Sequence, residues 1–164
     1  MPSLQKTDTT YSGNSPFAKN RGTIVLGVAV SDPHVVANHL IAMYLRRQNF
    51  KVINLGACTS SEEFMQAASQ ADDLVAILIG SLNGHARADL ADLPELRARY
   101  DVTAPIIVGG NLSVGAVKSD QVVQDLHALG VDMVLRHPRE VMHVLSNMAP
   151  AVLPFQVETP EFVG

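Results

Sequence analysis

Short apolar runs that alternate with segments of helical periodicity constrain the fold of this 164-residue chain more than any other feature. The runs are rich in β-branched residues and far shorter than the ~20 residues of a transmembrane helix. They therefore predict strands that are buried on both faces of a sheet. The five runs cover residues 23–30, 51–55, 74–79, 105–108 and 132–135.

Amphipathic helical patterns fill the gaps between these strands. They cover residues 35–47, 60–71, 90–100, 119–129 and 138–147. The second begins with a capping box at Ser60 and Glu63, and the fourth ends at Gly130 in a C-cap position. Strands that alternate with helices predict parallel βαβ units with right-handed crossovers. We therefore predict an α/β fold, a flavodoxin-like (Rossmann-type) five-stranded parallel sheet of order 2-1-3-4-5 with helices on both faces.

Composition restricts the function classes. Residues 1–22 and 148–164 lack the alternating pattern, so we predict an N-terminal arm, a folded domain over 23–147 and a C-terminal tail. The net charge of −4, without basic runs, disfavours nucleic acid and anionic membrane as partners. A single cysteine excludes an intramolecular disulfide, and no signal-peptide core is visible, so we expect a cytoplasmic protein.

Ligands of such a sheet bind beyond the carboxyl ends of the strands, near the point where strands 1 and 3 lie side by side. Three short segments follow strand ends there, at residues 31–38, 80–84 and 109–111. None contains a P-loop, GxGxxG, HExxH or GxSxG motif. Each segment alone could be an ordinary turn, but their shared position predicts one ligand site.

The first segment allows two interpretations. Asp32 could cap the first helix with Pro33 at its first position, and these residues alone favour that interpretation. Alternatively, Asp32 could bond one ring nitrogen of His34 and so orient the ring for metal binding through the other nitrogen. The two residues are close enough in sequence for their side chains to meet across a tight turn.

The other two segments offer small residues. Gly80 and Ser81 would let a ligand approach the backbone, and Ser81 could supply a hydroxyl. Gly109 and Gly110 could form a floor without side chains for a flat ligand, although a tight turn is equally consistent with them.

As a set, these motifs resemble those of cobalamin-binding domains, and most closely those of the glutamate mutase (methylaspartate mutase) small subunits. Asp32-Pro33-His34 resembles the opening of that family's D-x-H-x-x-G motif, and Gly109-Gly110 resembles its later GG motif. The resemblance covers about residues 23–147. The further residues that match in order and spacing are 52–56, Glu63-Phe64, Ala67-Ala68, Ser81-Leu82, Gly84, 108–111 and Val114-Gly115.

The resemblance implies a cofactor, adenosylcobalamin, whose nucleotide tail is displaced from cobalt and buried in the domain. His34 would be the lower axial ligand of cobalt and Asp32 its hydrogen-bonding partner, while Gly109 and Gly110 would flank the buried tail. The cofactor-binding residues that it implies are Ser31, Asp32, Pro33, His34, Val35, Val36, Ala37, Gly80, Ser81, Leu82, Asn83, Gly109, Gly110 and Asn111.

The resemblance also implies an isomerase that rearranges glutamate to 3-methylaspartate through an adenosyl radical. The chain is too short to hold a substrate barrel as well, so a larger substrate-binding mutase subunit is the expected partner. We expect no activity from this chain alone.

Two positions depart from the family's motifs. Ala37 stands where D-x-H-x-x-G has its last glycine, and Gly80 stands where the serine of S-x-L would hydrogen-bond the buried base. An unmade buried hydrogen bond can cost ~1–3 kcal/mol. Two alternatives therefore stay open: a stand-alone corrinoid carrier, and a relative that has lost the cofactor and serves as an interaction module.

Overall fold

The computed structural model describes residues 20–112 and 120–148. Its strands form one parallel sheet of order β2-β1-β3-β4-β5, so the predicted fold class and strand order are confirmed. The predicted arms at 1–22 and 148–164 lie almost wholly outside the described residues. The strands are β1 (Thr23–Ala29), β2 (Lys51–Thr59), β3 (Leu74–Ser81), β4 (Ile106–Gly110) and β5 (Met133–Leu135).

Helices cover both faces of the sheet. They are α1 (Val36–Arg47), α2 (Ser61–Ser69), α3 (Ala86–Asp89), α4 (Leu93–Arg99), α5 (Asp120–Ala128) and α6 (Glu140–Met148). The predicted capping box of α2 is confirmed, since the Ser60 N–H donates to Glu63 Oε2 at 2.8 Å and the Glu63 N–H donates to Ser60 Oγ at 3.3 Å. Gly130 follows α5 with a φ of 86°, as expected of a C-cap glycine.

The helix predicted over residues 90–100 is present as α4, but it begins only at Leu93, and the short helix α3 before it was not predicted. Pro94 stands in the first turn of α4, where a missing N–H is tolerated, so a new helix begins there. The turn between the two helices is closed by the Leu93 N–H, which donates to the Leu90 carbonyl at 3.1 Å, and it leaves both leucines buried.

The second strand is longer than predicted. β2 continues past Leu55 to Thr59, with shifts in its register against β1. Gly56 and Cys58 adopt positive φ values of 85° and 54° there, which lets the strand bulge while it keeps pairing. Its end thereby reaches the loop that follows β1.

Alternate residues of the central strands point to opposite faces of the sheet. One face, covered by α2, α4 and α5, packs around Phe64, Leu93 and Leu126. The other face is covered by α1 and α6, which contribute Leu45 and Leu145. No helix in the described part of the chain combines the length and hydropathy of a transmembrane span.

Candidate cofactor site

An open cavity lies between the sheet and the two helices α1 and α6, with about 680 Å³ of empty space that is partly open to solvent. Its floor is made by one row of residues that are paired across four strands, which are Val28, Gly80, Gly109 and Leu135. Beside them lies a second row, formed by Leu26, Leu78 and Ile107. The floor is therefore apolar, and it opens at the carboxyl edge of the sheet.

Glycines leave space where the floor would otherwise carry side chains. A Cβ at Gly80 would lie 3.7 Å from its nearest neighbours, and one at Gly109 would lie 3.5 Å from Leu135 Cβ. Both positions thus have room for a side chain that the sequence does not supply. Gly110 differs, because its φ of 125° and a Cβ position only 2.1 Å from the Ser81 carbonyl oxygen exclude any other residue.

The helices supply the remaining walls. α1 contributes Ala37, Asn38 and Ile41, while α6 and the turn before it contribute Val141, His137 and Pro138. His34 and Leu82 stand at the loops above the strand ends. A flat apolar group of the size of a heteroaromatic base could lie between these walls.

The Asp32–His34 pair is formed in this structure. His34 Nδ1 lies 2.6 Å from Asp32 Oδ1, which also accepts the His34 backbone N–H at 3.0 Å. Asp32 is fully buried, whereas 60% of the His34 side chain is exposed. The Asp32 carboxylate therefore hydrogen-bonds Nδ1 from the buried side of the ring, and Nε2 remains as the nitrogen that could bind a metal.

The charge of Asp32 is stabilised where it is buried. Burial alone would raise its pKa, but the backbone N–H groups of Leu82 and His34 and the His34 side chain together hold the pKa of Asp32 below its usual value. The Leu82 N–H donates to Oδ2, so the second carboxylate oxygen is engaged as well. Asp32 thus stays ionised and keeps accepting a hydrogen bond from the imidazole.

The loop that carries this pair is braced from two strands. The Cys58 N–H, at the end of β2, donates to the Asp32 carbonyl at 3.2 Å. The Asn83 side chain, after β3, donates to the Ser31 carbonyl at 2.9 Å and to Ser31 Oγ at 2.7 Å. Ser31 Oγ in turn donates to Asp89 of α3 at 2.7 Å. These bonds fix the position of the imidazole relative to the sheet.

The helix-cap interpretation of Asp32 is wrong. α1 begins at Val36, its N-cap is Val35, and no side chain caps it. Asp32 lies three residues before that cap, and its carboxylate is taken by His34 and Leu82 instead. The pairing interpretation, which the local residues favoured less, is the one that the structure shows.

The predicted site residues divide into three groups. Six of them line the cavity: His34, Ala37, Gly80, Leu82, Gly109 and Gly110. Others surround it without lining it: the buried Asp32, the loop residues Ser31, Pro33 and Asn83, and the exposed Val35, Val36 and Asn111. Ser81 lies on the opposite face of the sheet, so its hydroxyl does not line the cavity as expected; it is fully buried, and its Oγ has no hydrogen-bond partner in the described residues. Val114 and Gly115 lie outside the described residues.

The sequence motifs did not point to most of the other residues that line the cavity. The floor residues Leu26, Val28 and Leu78 could have been found, because they alternate with residues that face the other side of their strands. Asn38 and Ile41 follow Ala37 on one face of α1, at a helical spacing. His137 and Val141 had no comparable signal, since only the return of α6 over the sheet brings them to the cavity.

The sequence of this chain is similar to those of one known family. Residues 22–120 match the B12 binding domain. The chain is 43% identical over 112 residues to the glutamate mutase sigma subunit of Halobacterium salinarum (68% of this chain, 74% of the relative). It is 39% identical over 113 residues to the glutamate mutase sigma subunit of Carboxydothermus hydrogenoformans (68% and 81%).

Solved structures share the fold at lower identity. A cobalamin-binding protein from Desulfitobacterium hafniense superposes with a TM-score of 0.65 at 14% identity, over 79% of this chain and 60% of that one. The methanol:cobalamin methyltransferase complex MtaBC from Methanosarcina barkeri gives a TM-score of 0.59 at 21% identity, over 84% and 51%. Since this chain spans only part of each, these likenesses support the fold. The profile match and the identities with the sigma subunits together show that the chain belongs to the B12-binding domain family and, within it, to the glutamate mutase sigma subunits.

Proposed function

We propose that this chain is the cofactor-binding small subunit of an adenosylcobalamin-dependent carbon-skeleton mutase that interconverts glutamate and 3-methylaspartate. One observation carries the proposal most directly: a histidine paired with a buried carboxylate stands at the mouth of an apolar cavity with a glycine-containing floor. That combination would provide a metal ligand and a separate space for the nucleotide tail of the same cofactor.

The residues fit such a cofactor. His34 Nε2 would ligate cobalt, and Asp32 would raise the basicity of the ring through Nδ1. Gly80 and Gly109 would let a planar base lie against the backbone of β3 and β4.

When bound, the cofactor supplies a carbon-centred radical for hydrogen abstraction. This chain's own part is to bind the cofactor, to fix the imidazole and to bury the tail. The substrate site would come from a larger subunit that meets the same edge of the sheet. Val30, Val35 and Val36, which are 45%, 38% and 72% exposed around the β1–α1 loop, support a protein contact there. In this proposal residues 23–147 form the cofactor domain, between arms at 1–22 and 148–164.

The first test is a titration of the protein with adenosylcobalamin, in which binding is monitored by the visible absorption spectrum. We expect the wild-type protein to shift the spectrum to the tail-displaced form. His34→Ala should abolish the shift, and the control His39→Ala, an exposed α1 histidine outside the cavity lining, should retain it. An unchanged wild-type spectrum at saturating cofactor would contradict cofactor binding and favour an interaction module.

Activity separates a mutase subunit from a stand-alone corrinoid carrier. We expect glutamate isomerisation only when a large mutase subunit is added to the loaded protein. Transfer of a methyl group from the loaded protein, without isomerisation, would favour the carrier.

Ala37 allows a finer test of cofactor affinity. Its methyl group lies in the α1 wall of the cavity, where it narrows the space for the tail. We expect Ala37→Gly to tighten adenosylcobalamin binding several-fold in the same titration. Unchanged or weaker binding would show that the methyl group is not an obstacle.

A further inference from the structure

The described part of the cavity lining has few side-chain hydrogen-bond donors. Among its described lining residues, only three side chains are polar: His34, Asn38 and His137. A cobamide tail that enters this space carries acceptors, namely a ring nitrogen released from cobalt and the oxygens of its ribose and phosphate. A buried acceptor without a donor weakens binding, so the source of the donor matters for affinity.

Two of the three polar side chains are already engaged. His34 Nδ1 is held by Asp32, and its Nε2 is the nitrogen that remains for the metal. The Asn38 amide group donates to Asn54 Oδ1 at 2.7 Å, and the same oxygen accepts the Gly56 N–H at 3.0 Å. These bonds fix the orientation of the Asn38 amide, which uses one of its two N–H protons for Asn54, while its buried Oδ1 can only accept and has no partner in the described residues.

His137 differs, because its proton position is set by the backbone. The Arg139 N–H donates to His137 Nδ1 at 3.2 Å, which requires a lone pair on Nδ1. The imidazole proton must then be on Nε2, so the ring presents one N–H donor. His137 follows β5 and lines the cavity on the α6 side, across from α1.

From its place in the cavity lining and the proton on Nε2, we infer that His137 binds the nucleotide tail of the cofactor by donating a hydrogen bond from Nε2. The inference rests on the proposed cofactor function. It adds a binding residue that the sequence motifs did not single out. It also provides a donor in a cavity whose floor has a glycine, Gly80, at the position where a hydroxyl could have been placed.

The experiment compares two ligands by spectroscopic or calorimetric titration: adenosylcobalamin, and adenosylcobinamide, which lacks the nucleotide tail. We expect His137→Leu to weaken adenosylcobalamin binding about tenfold and to leave adenosylcobinamide binding within about twofold. His137→Gln, which keeps an N–H donor, should stay within about threefold of wild type for both ligands. The matched control is His143→Leu, which changes an exposed α6 histidine outside the cavity lining and should alter neither affinity.

Two results would overturn the inference. Equal weakening of both ligands by His137→Leu would show that the residue shapes the mouth rather than recognising the tail, and unchanged affinities would show no contact. Both results leave the proposed function intact, because wild-type protein and His34→Ala test it separately. If wild-type protein bound no adenosylcobalamin at all, both proposals would fall.

Discussion

The two faces of the sheet are built from the same strands but are packed in different ways. On the face that α2, α4 and α5 cover, Phe64, Ile77 and Leu93 are completely buried in a continuous core. On the face that α1 and α6 cover, a core packs around Leu45 and Leu145, but the carboxyl half opens into the cavity. One face therefore forms a continuous core, while the other keeps space for a ligand beside its own core.

Two glycines on neighbouring strands show the same contrast at the level of single atoms. A Cβ at Gly27 would lie 2.7 Å from Phe64 Cζ, so the closed face requires glycine there. A Cβ at Gly80 would meet nothing closer than 3.7 Å. The first glycine is required by packing, whereas the second leaves room for a ligand.

The largest expected effect is the loss of Phe64. Phe64→Ala should lower the free energy of unfolding by about 3–5 kcal/mol, because a fully buried ring is replaced by a cavity in the closed face. Urea denaturation followed by circular dichroism measures it. Leu40→Ala, on the 62% exposed α1 position, is the control and should change stability by less than about 0.5 kcal/mol. A loss below about 1 kcal/mol for Phe64→Ala would contradict the assignment of the main core to this face.

The glycine pair gives the next largest effect. Gly27→Ala should destabilise by about 1–3 kcal/mol, because the new methyl group collides with the Phe64 ring. Gly80→Ala should change stability by less than about 1 kcal/mol, since its methyl group enters open space. The two midpoints of urea denaturation measure the difference, and equal losses would remove the contrast between the faces.

Two isoleucines, one on each face of the sheet, allow the same substitution to be made in both environments. Ile77→Val removes one methylene group from the closed face and should cost about 0.5–1.5 kcal/mol. Ile41→Val removes the same group from the partly buried cavity wall and should cost less, because that side chain already borders empty space. Thermal or urea unfolding of both variants measures the two losses. A larger loss at Ile41 would mean that the cavity wall is as tightly packed as the closed core.

The smallest expected effect concerns the capping box of α2. The Ser60 N–H and hydroxyl hold the pKa of Glu63 below its usual value. The ionised carboxylate therefore stabilises the folded chain at neutral pH, and that contribution is lost as the pH falls through the folded-state pKa. We expect the stability of the wild type to decline slightly more between about pH 5 and 3 than that of Glu63→Gln. Urea titrations at several pH values measure this, and parallel pH profiles would contradict it.

The sequence predicted the elements that depend on local chemistry. Apolar β-branched runs marked all five strands, and the capping box at Ser60 and Glu63 marked the start of α2. The end of β2 was missed, because a positive φ at Cys58 lets the strand continue through a bulge that leaves no pattern. The short helix α3 was not predicted, because the four residues Ala86–Asp89 are too few to show a helical period.

The site residues were likewise predicted in part. The segments that end β1, β3 and β4 were found because parallel strands bring their carboxyl ends to one edge. The choice between a helix cap and a histidine partner for Asp32 could not be made from the sequence, since both fit the same residues. The Leu82 N–H, fifty positions away along the chain, engages one oxygen of the carboxylate and leaves the other for His34.

The order of apolar runs and helical segments in this chain by itself determined a parallel sheet and the edge at which a ligand would bind. Only the tertiary structure decided which face of the sheet opens into a cavity at that edge, whether Asp32 caps a helix or supports His34, and that His137 lines the cavity. The physical reason is that strand and helix periodicity are local properties of the chain. Empty volume, the burial of a charge and the free donor of an imidazole depend on residues that meet only after folding.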